Sequence, residues 1–313
     1  MVRAAFPGRD VFPISSAVLC RRGRAVRGQS CAGQAPACGW RAARIPARDP
    51  QNGAGSLAGR GPAPCQAEDM RHLFLDFFGT LVNYADSRAG QGYADTHASM
   101  RAFGARGTEQ ETADAWLDAF HQLNAESDVD HREFTMEELS RRAFVRLLGR
   151  EPDATEIAAG AASNMADWER GVVLIPGMAQ TLRELGQSFT LTIVSNTHSA
   201  SVVPRQLAAM GATDLIANIV TSLEVGFRKP HSAIYRAALD TAEADPARVI
   251  FVGDTWDADF DGPRAHGMEA VLVAPAPRDG VPETRRVTSV LDLPDLLSFR
   301  YPSTRPISTR GVA

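Results

Sequence analysis

The chain has 313 residues, 44% of them hydrophobic, which is enough to bury a sizeable core, and its length fits two folded units at roughly 150 residues per domain. No apolar run approaches the roughly 18–20 residues of a membrane-spanning helix, so the expectation is a cytoplasmic protein with no membrane partner. The net charge of −4 hides an asymmetry: residues 1–69 carry ten Arg against four acids (Asp10, Asp49, Glu68, Asp69), net +6, and the rest carries 23 basic against 33 acidic side chains, net −10. Such an acidic body is unsuited to tracking a nucleic-acid backbone, which requires clustered basic charge.

Cys20, Cys31, Cys38 and Cys65 all fall in the basic leader, which excludes a disulfide framework for the body. Their spacing matches no paired zinc pattern and no histidine precedes His72. The leader, rich in Ala, Gly, Pro and Arg, lacks helical or strand periodicity and reads as disordered. A targeting segment and a basic arm for an anionic partner are the sharper alternatives. Arg21 and Arg22 are not followed by the apolar stretch of an export signal. Met70 directly precedes the first strong strand pattern, RHLFLDFF, and is the expected native start.

From Met70 the pattern is a strand, a long helical stretch, then alternating strands and helices, which predicts an α/β core interrupted by an inserted helical domain. The expected boundaries are 70–83 and 175–298 for the core, 84–174 for the insert and 299–313 for a flexible tail. Within the insert, the stretches 86–104, 108–127, 135–149 and 153–171 place apolar residues at helical spacing. Thr108 with Glu111 and Thr135 with Glu138 have the form of capping boxes, and Gly104 and Gly149 stand where helices stop. Trp116, Phe120 and Phe144 read as core of the insert. Beyond Pro176–Gly177, strands are expected at 189–194, 218–222, 249–253 and 270–274, with helices at 178–187, 199–210, 231–243, 258–266 and 289–298. Continuously apolar strands between amphipathic helices indicate a parallel sheet covered on both faces.

Chemistry in such a sheet gathers at the carboxyl ends of the strands. Those ends deliver Asp76-Phe77-Phe78-Gly79-Thr80, Ser195-Asn196, Arg228-Lys229-Pro230 and Gly253-Asp254-Thr255-Trp256-Asp257-Ala258-Asp259. Lys229 stands out because the chain has 32 Arg and this single Lys. A compact, rotatable ammonium suits pairing with a carboxylate and an anionic group. The three carboxylates Asp254, Asp257 and Asp259 are hard oxygen ligands of the kind magnesium takes. Blander readings stand beside these: Asp76 capping a turn, Ser195 capping a helix, Lys229 on the surface, and Asp257 and Asp261 answering a helix N-terminus.

In this order the four motifs resemble the haloacid dehalogenase-like (HAD) hydrolase superfamily, from Met70 to about residue 275. The resemblance implies a Rossmann-like parallel sheet core with an inserted all-helical cap domain, and a hydrolase working through a covalent aspartyl intermediate. Asp76 would then be the nucleophile, with Ser195 and Lys229 as the other catalytic residues. Thr80, Ser195, Asn196 and Lys229 would bind the transferring phosphate. A Mg2+ ion would be held by Asp76, the Phe78 carbonyl, Asp254 and Asp259. The expected partner is a small-molecule substrate, with no nucleic acid, and the expected state is a monomer or homodimer. The cap would exclude water and select the substrate, with specificity residues on its inner face and near Asn83 to Tyr93.

One departure matters. The superfamily's phosphatases carry a second Asp two residues after the nucleophile as general acid, and here that residue is Phe78. Losing such an acid costs about 10²–10⁴-fold on a step that needs it. Members that displace halide from 2-haloacids also place an aromatic residue there, yet they lack the metal-binding Asp that GDTWDAD retains. Magnesium-dependent hydrolysis of a phosphate ester or acyl phosphate therefore ranks first, (S)-2-haloacid dehalogenation second, and a catalytically weak phosphate-binding protein third. His97, His121, His131 and His198 are the candidate substitutes for the acid.

Overall fold

The computed structural model describes residues 72–84 and 92–301. The leader, Met70, residues 85–91 and the tail beyond 301 lie outside the described residues.

Strand β1 (His72–Leu75) leads through β2 (Val82–Asn83) into four helices, α1 (Ala94–Ala102), α2 (Glu109–Asp130), α3 (Met136–Leu148) and α4 (Ala154–Glu169). The chain returns through β3 (Val173–Leu174), which pairs antiparallel with β2. It then alternates through α5 (Met178–Leu185), β4 (Thr190–Ser195), α6 (Val202–Met210), β5 (Asn218–Thr221), α7 (Ser222–Val225), α8 (Ser232–Thr241) and β6 (Val249–Gly253). A π-helical turn (Trp256–Asp261), α9 (Gly262–Ala265), β7 (Glu269–Val273), β8 (Arg286–Val287) and α10 (Leu293–Arg300) complete it. The result is the expected Rossmann-like α/β core with helices inserted between β2 and β3.

The main sheet runs β5-β4-β1-β6-β7-β8, and every pairing in it is parallel. After β4 and β5 have built outward on one side of β1, the chain crosses to build β6, β7 and β8 on the other. The carboxyl end of β1 is thus a topological switch point, where flanking loops diverge and leave a crevice. Apolar residues fill both faces. Leu73, Leu75, Leu191, Ile193, Ile250 and Val252 join one cluster, and Phe74, Val194, Val249 and Phe251 join another. This is the period of two of a strand, with both of its faces covered.

The insert has a core of its own, formed by Met100, Trp116, Leu123, Leu139, Ala143 and Phe144, with Phe120 packed against it. Both expected capping boxes close, and a third, Asp153 with Glu156, starts α4. Gly149 caps α3 at φ 67°, a left-handed conformation that favours glycine.

Several expectations need correction. The helix expected over 258–266 is a π-turn followed by a single α-turn, with Pro263 in its first turn. The Asp259 amide bonds the Thr255 carbonyl (2.7 Å) and its carboxylate accepts from the Thr255 amide (2.9 Å), so the turn closes around the Asp259 side chain. The first strand pattern, RHLFLDFF, is strand only over His72–Leu75, although the Asp76 amide still bonds the Val252 carbonyl. The two-residue strands β2, β3 and β8 are too short to produce a periodic signal.

Phe251 lies at the centre of the sheet, fully buried, and packs edge-on against Phe74 and Tyr235. Phe251→Ala is expected to lower the unfolding free energy by about 3–5 kcal/mol. A denaturant titration checks this as a shift of midpoint at constant slope.

Candidate active site

Asp76 follows β1 directly and is 6% exposed. Lys229 comes from the loop after α7, and its ammonium donates to Asp76 Oδ1 and to Asp259 Oδ1, both at 2.7 Å. The Thr80 hydroxyl donates to Asp76 Oδ2 at 3.1 Å. Each oxygen of the Asp76 carboxylate therefore has its own donor, and its orientation is fixed. Burial alone would drive the Lys229 ammonium down, but the charges of Asp259 and Asp76 outweigh it and hold its pKa above the ordinary lysine value.

Asp76, Asp254 and Asp259 each place a carboxylate oxygen within 4.8 Å of the others. One lysine cannot neutralise three carboxylates at this spacing. The side chain of Asp254 reaches the surface while most of the volume around it is protein. Desolvation, then the charges of Asp76 and Asp259, push its carboxyl above the usual range. Asp259 is raised as well, by burial first and by Asp76, against the pull of Lys229. The backbone is shaped to let these groups approach. A Cβ on Gly79, which sits at φ +86°, would stand 2.3 Å from Asp254 Oδ2, and one on Gly253 would stand 2.4 Å from Asp259 Cγ. A crowded set of hard oxygen donors with excess negative charge fits a small divalent cation.

Of the other sequence-predicted residues, Asn196 turns its side chain to the Lys229 backbone, accepting from the amide (2.8 Å) and donating to the carbonyl (3.1 Å). Ser195 is fully buried at the end of β4, and its hydroxyl hydrogen-bonds the Asn196 carbonyl at 3.4 Å. Asp257 and Asp261 are exposed. Tyr235, unremarked in the sequence, donates its hydroxyl to the Ala258 carbonyl at 2.6 Å and so braces the turn that carries Asp259.

Phe78 is half-buried, with its ring edge-to-face against Trp168 of α4 (5.0 Å between centroids) and Tyr84 (6.3 Å). The four histidines have engagements of their own. His97 bonds Thr112 (2.9 Å), His121 is exposed beside Phe120, His131 caps α2 at φ 60°, and His198 is stacked on Phe134 at 4.2 Å.

Sequence reasoning missed Glu133. It lies in the turn between α2 and α3 and is 6% exposed, with its carboxylate accepting from Arg228 Nη2 (2.5 Å), Ser222 Oγ (2.6 Å) and the Phe134 amide (3.0 Å). His198 Nδ1 stands 3.1 Å from the same carboxylate. Nothing local in the sequence marks a residue whose side-chain partners lie 65 to 95 positions away; a buried acid needing a basic partner was the only available signal, and it is visible only once burial is known.

A protein-family model described as haloacid dehalogenase-like hydrolase matches residues 70–267, and the chain belongs to that family. Ribulose-1,5-bisphosphate 5-phosphatase of Halopiger xanaduensis is 28% identical over 111 residues, covering 36% of this chain and 46% of that protein. Haloacid dehalogenase-like hydrolase domain-containing protein 3 of Homo sapiens is 31% identical over 127 residues, covering 38% of this chain and 50% of its own length. The chain thus spans about half the length of the curated relatives it matches. Among solved structures, a 2-haloacid dehalogenase from Pseudomonas syringae superposes with a TM-score of 0.54 at 22% identity, over 74% of this chain and 99% of that one, and shares its fold. A HAD-hydrolase of Bacillus subtilis bound to magnesium superposes at 0.50 with 21% identity, over 73% and 98%.

Burial would push the Glu133 carboxyl up, but the hydrogen bond and charge of His198, the charge of Arg228 and the Ser222 hydroxyl outweigh it and hold the pKa down to about 2, against an ordinary 4.5. A depressed folded-state pKa stabilises fully above the unfolded value and is lost as pH falls through the folded one. The gap corresponds to about 3 kcal/mol. The difference in unfolding free energy between the wild type and Glu133→Gln is therefore expected to hold near neutrality and shrink as pH falls from about 4.5 towards about 2, as read from denaturant titrations at stepped pH.

Proposed function

We propose that the protein is a magnesium-dependent phosphohydrolase acting on a small-molecule phosphate ester or acyl phosphate through a covalent intermediate on Asp76. The observation that carries this reading is the clustering of Asp254 and Asp259 with Asp76 within 4.8 Å, a concentration of negative charge that a carbon–halogen displacement does not use. Asp76, Asp254 and Asp259, with the Phe78 carbonyl, would hold the magnesium ion, and Ser195 with Lys229 would receive the phosphoryl oxygens. The relatives named as phosphatases, ribulose-1,5-bisphosphate 5-phosphatase among them, support the same class.

Bound magnesium supplies positive charge against the phosphoryl oxygens. The chain's own residues do the rest. Lys229 and Thr80 hold the two oxygens of Asp76 in a fixed rotation. An Asp76 oxygen attacks phosphorus and a new P–O bond forms. The bond to the leaving group breaks, with its electron pair passing to the leaving oxygen. Water then hydrolyses the aspartyl phosphate, releasing phosphate and restoring Asp76. The helical insert acts as a cap that shields the site and selects the substrate. Phe78 holds no transferable proton, so the reading favours leaving groups that depart as anions, as the carboxylate of an acyl phosphate does.

Phe78 also favours a second reading, dehalogenation of a 2-haloacid, because halide leaves without a proton. The two readings separate cleanly. Phosphate release that requires Asp76 and stops with chelator is expected, and Asp76→Asn should reduce it to background. Halide release from 2-chloropropionate that ignores chelator would establish the second reading instead. On alkyl phosphate esters, whose leaving oxygen needs a proton, Phe78→Asp is expected to raise kcat by roughly 10²-fold or more, measured as phosphate release.

A further inference from the structure

The turn between α2 and α3 belongs to the insert by sequence but pairs with a catalytic loop of the core. The Glu133 amide donates to the Gly226 carbonyl (2.9 Å), and the Arg228 amide donates to the His131 carbonyl (2.8 Å), so Arg132 and Phe227 face each other in an antiparallel bridge. This short ribbon ends one residue before Lys229. Glu133 then reaches two further segments. Ser222 Oγ, bonded to its carboxylate, accepts from the Thr197 amide at 2.9 Å. His198 lies beside the same carboxylate and stacks on the neighbouring Phe134. Arg228 adds a tie back to the insert through Asn124 (2.9 Å).

We infer that Glu133 is a positioning residue: through it the helical insert holds the Ser195–Ser199 and Gly226–Pro230 segments in register with Asp76. The inference rests on the reading that these segments serve the reaction at Asp76. Three observations support it together. Glu133, Ser222 and Arg228 are all buried, so their bonds are shielded from competing water. Arg228 is one residue from Lys229 and His198 two from Asn196, Ser222 holds the amide of Thr197 next to Asn196, and Asn196 carries the link onward by bonding the Lys229 backbone on both sides. The connection comes from the insert, whereas the side chains that hydrogen-bond the Asp76 carboxylate among the described residues, Thr80 and Lys229, belong to the core. Displacing a catalytic group by a fraction of a bond length is enough to slow a reaction whose barrier depends on alignment.

A residue that only balances charge would affect activity and stability in parallel, and the test separates the two. Wild type, Glu133→Gln and the double variant Glu133→Gln/Arg228→Met are compared for magnesium-dependent hydrolysis of p-nitrophenyl phosphate, for melting temperature and for backbone amide exchange. Glu133→Gln is expected to lower kcat by about 10²-fold, with KM moving no more than about twofold. The double variant, which removes the uncompensated Arg228 charge, is expected to recover the melting temperature but not kcat. Exchange should accelerate in the peptides covering 195–200 and 226–231 while β1 and β6 stay unchanged. Recovery of kcat together with stability, or a wild-type kcat in Glu133→Gln, would overturn the inference. If the wild type released no phosphate, the proposed function would fall, and the exchange data alone would decide: local acceleration would support positioning, and its absence would refute it.

Discussion

The structure is organised around one buried ammonium. Lys229 lies between Asp76 and Asp259 at 2.7 Å from each, within a shell of protein that leaves it 4% exposed. Burying two carboxylates this deeply is strongly unfavourable unless charge and hydrogen bonds compensate. Lys229 provides both from one atom, and its compact head reaches two oxygens that diverge, where the planar fork of an arginine would meet one carboxylate face-on. In a chain that otherwise uses arginine for every basic position, this one place keeps lysine.

The same cluster explains the backbone around it. Two glycines stand where any Cβ would collide with Asp254 or Asp259, so the carboxylates are crowded by main chain on one side and by each other on the remaining side. The parallel sheet makes that crowding possible. β1 is flanked by β4 and β6 in parallel, so the loops leaving these three strands start side by side at one end of the sheet. The π-turn at Trp256–Asp261 bends Asp259 back towards Lys229, and the Tyr235 hydroxyl holds that turn in place. π-helical turns are rare and are frequently found at functional sites.

Among the described residues, two chemically different joints between the helical insert and the core lie close to the site. One is aromatic: Phe78, two residues after Asp76, packs edge-to-face against Trp168 and Tyr84, which are tilted against each other. The ring quadrupoles favour this edge-to-face geometry, and Phe78 itself carries no transferable proton. The other is ionic and buried, centred on Glu133, and is tied by hydrogen bonds of defined direction to the segments that carry Thr197, Ser222 and Arg228.

Much of this was legible in the sequence. Continuously apolar runs such as LFL and VIFV, the Thr108 and Thr135 capping boxes, and polar residues at strand ends depend on near neighbours in the chain, so local physics dictates them. The parallel sheet, the helical insert and the residues Asp76, Lys229, Asp254 and Asp259 follow from such signals, together with the resemblance their order carries. The strands β2, β3 and β8 escaped because two residues show no period, and the 258–266 helix was misread because its hydrogen bonding is set by where Asp259 must point. What a charge does depends on which others surround it, and that is a matter of tertiary packing. The sequence by itself determined which side chains end the strands. Only the folded structure decided that Asn196 braces the Lys229 backbone, that His198 stacks on Phe134 beside Glu133, and that an acid of the insert joins three segments of the core, because these pairings bring together groups up to 95 residues apart.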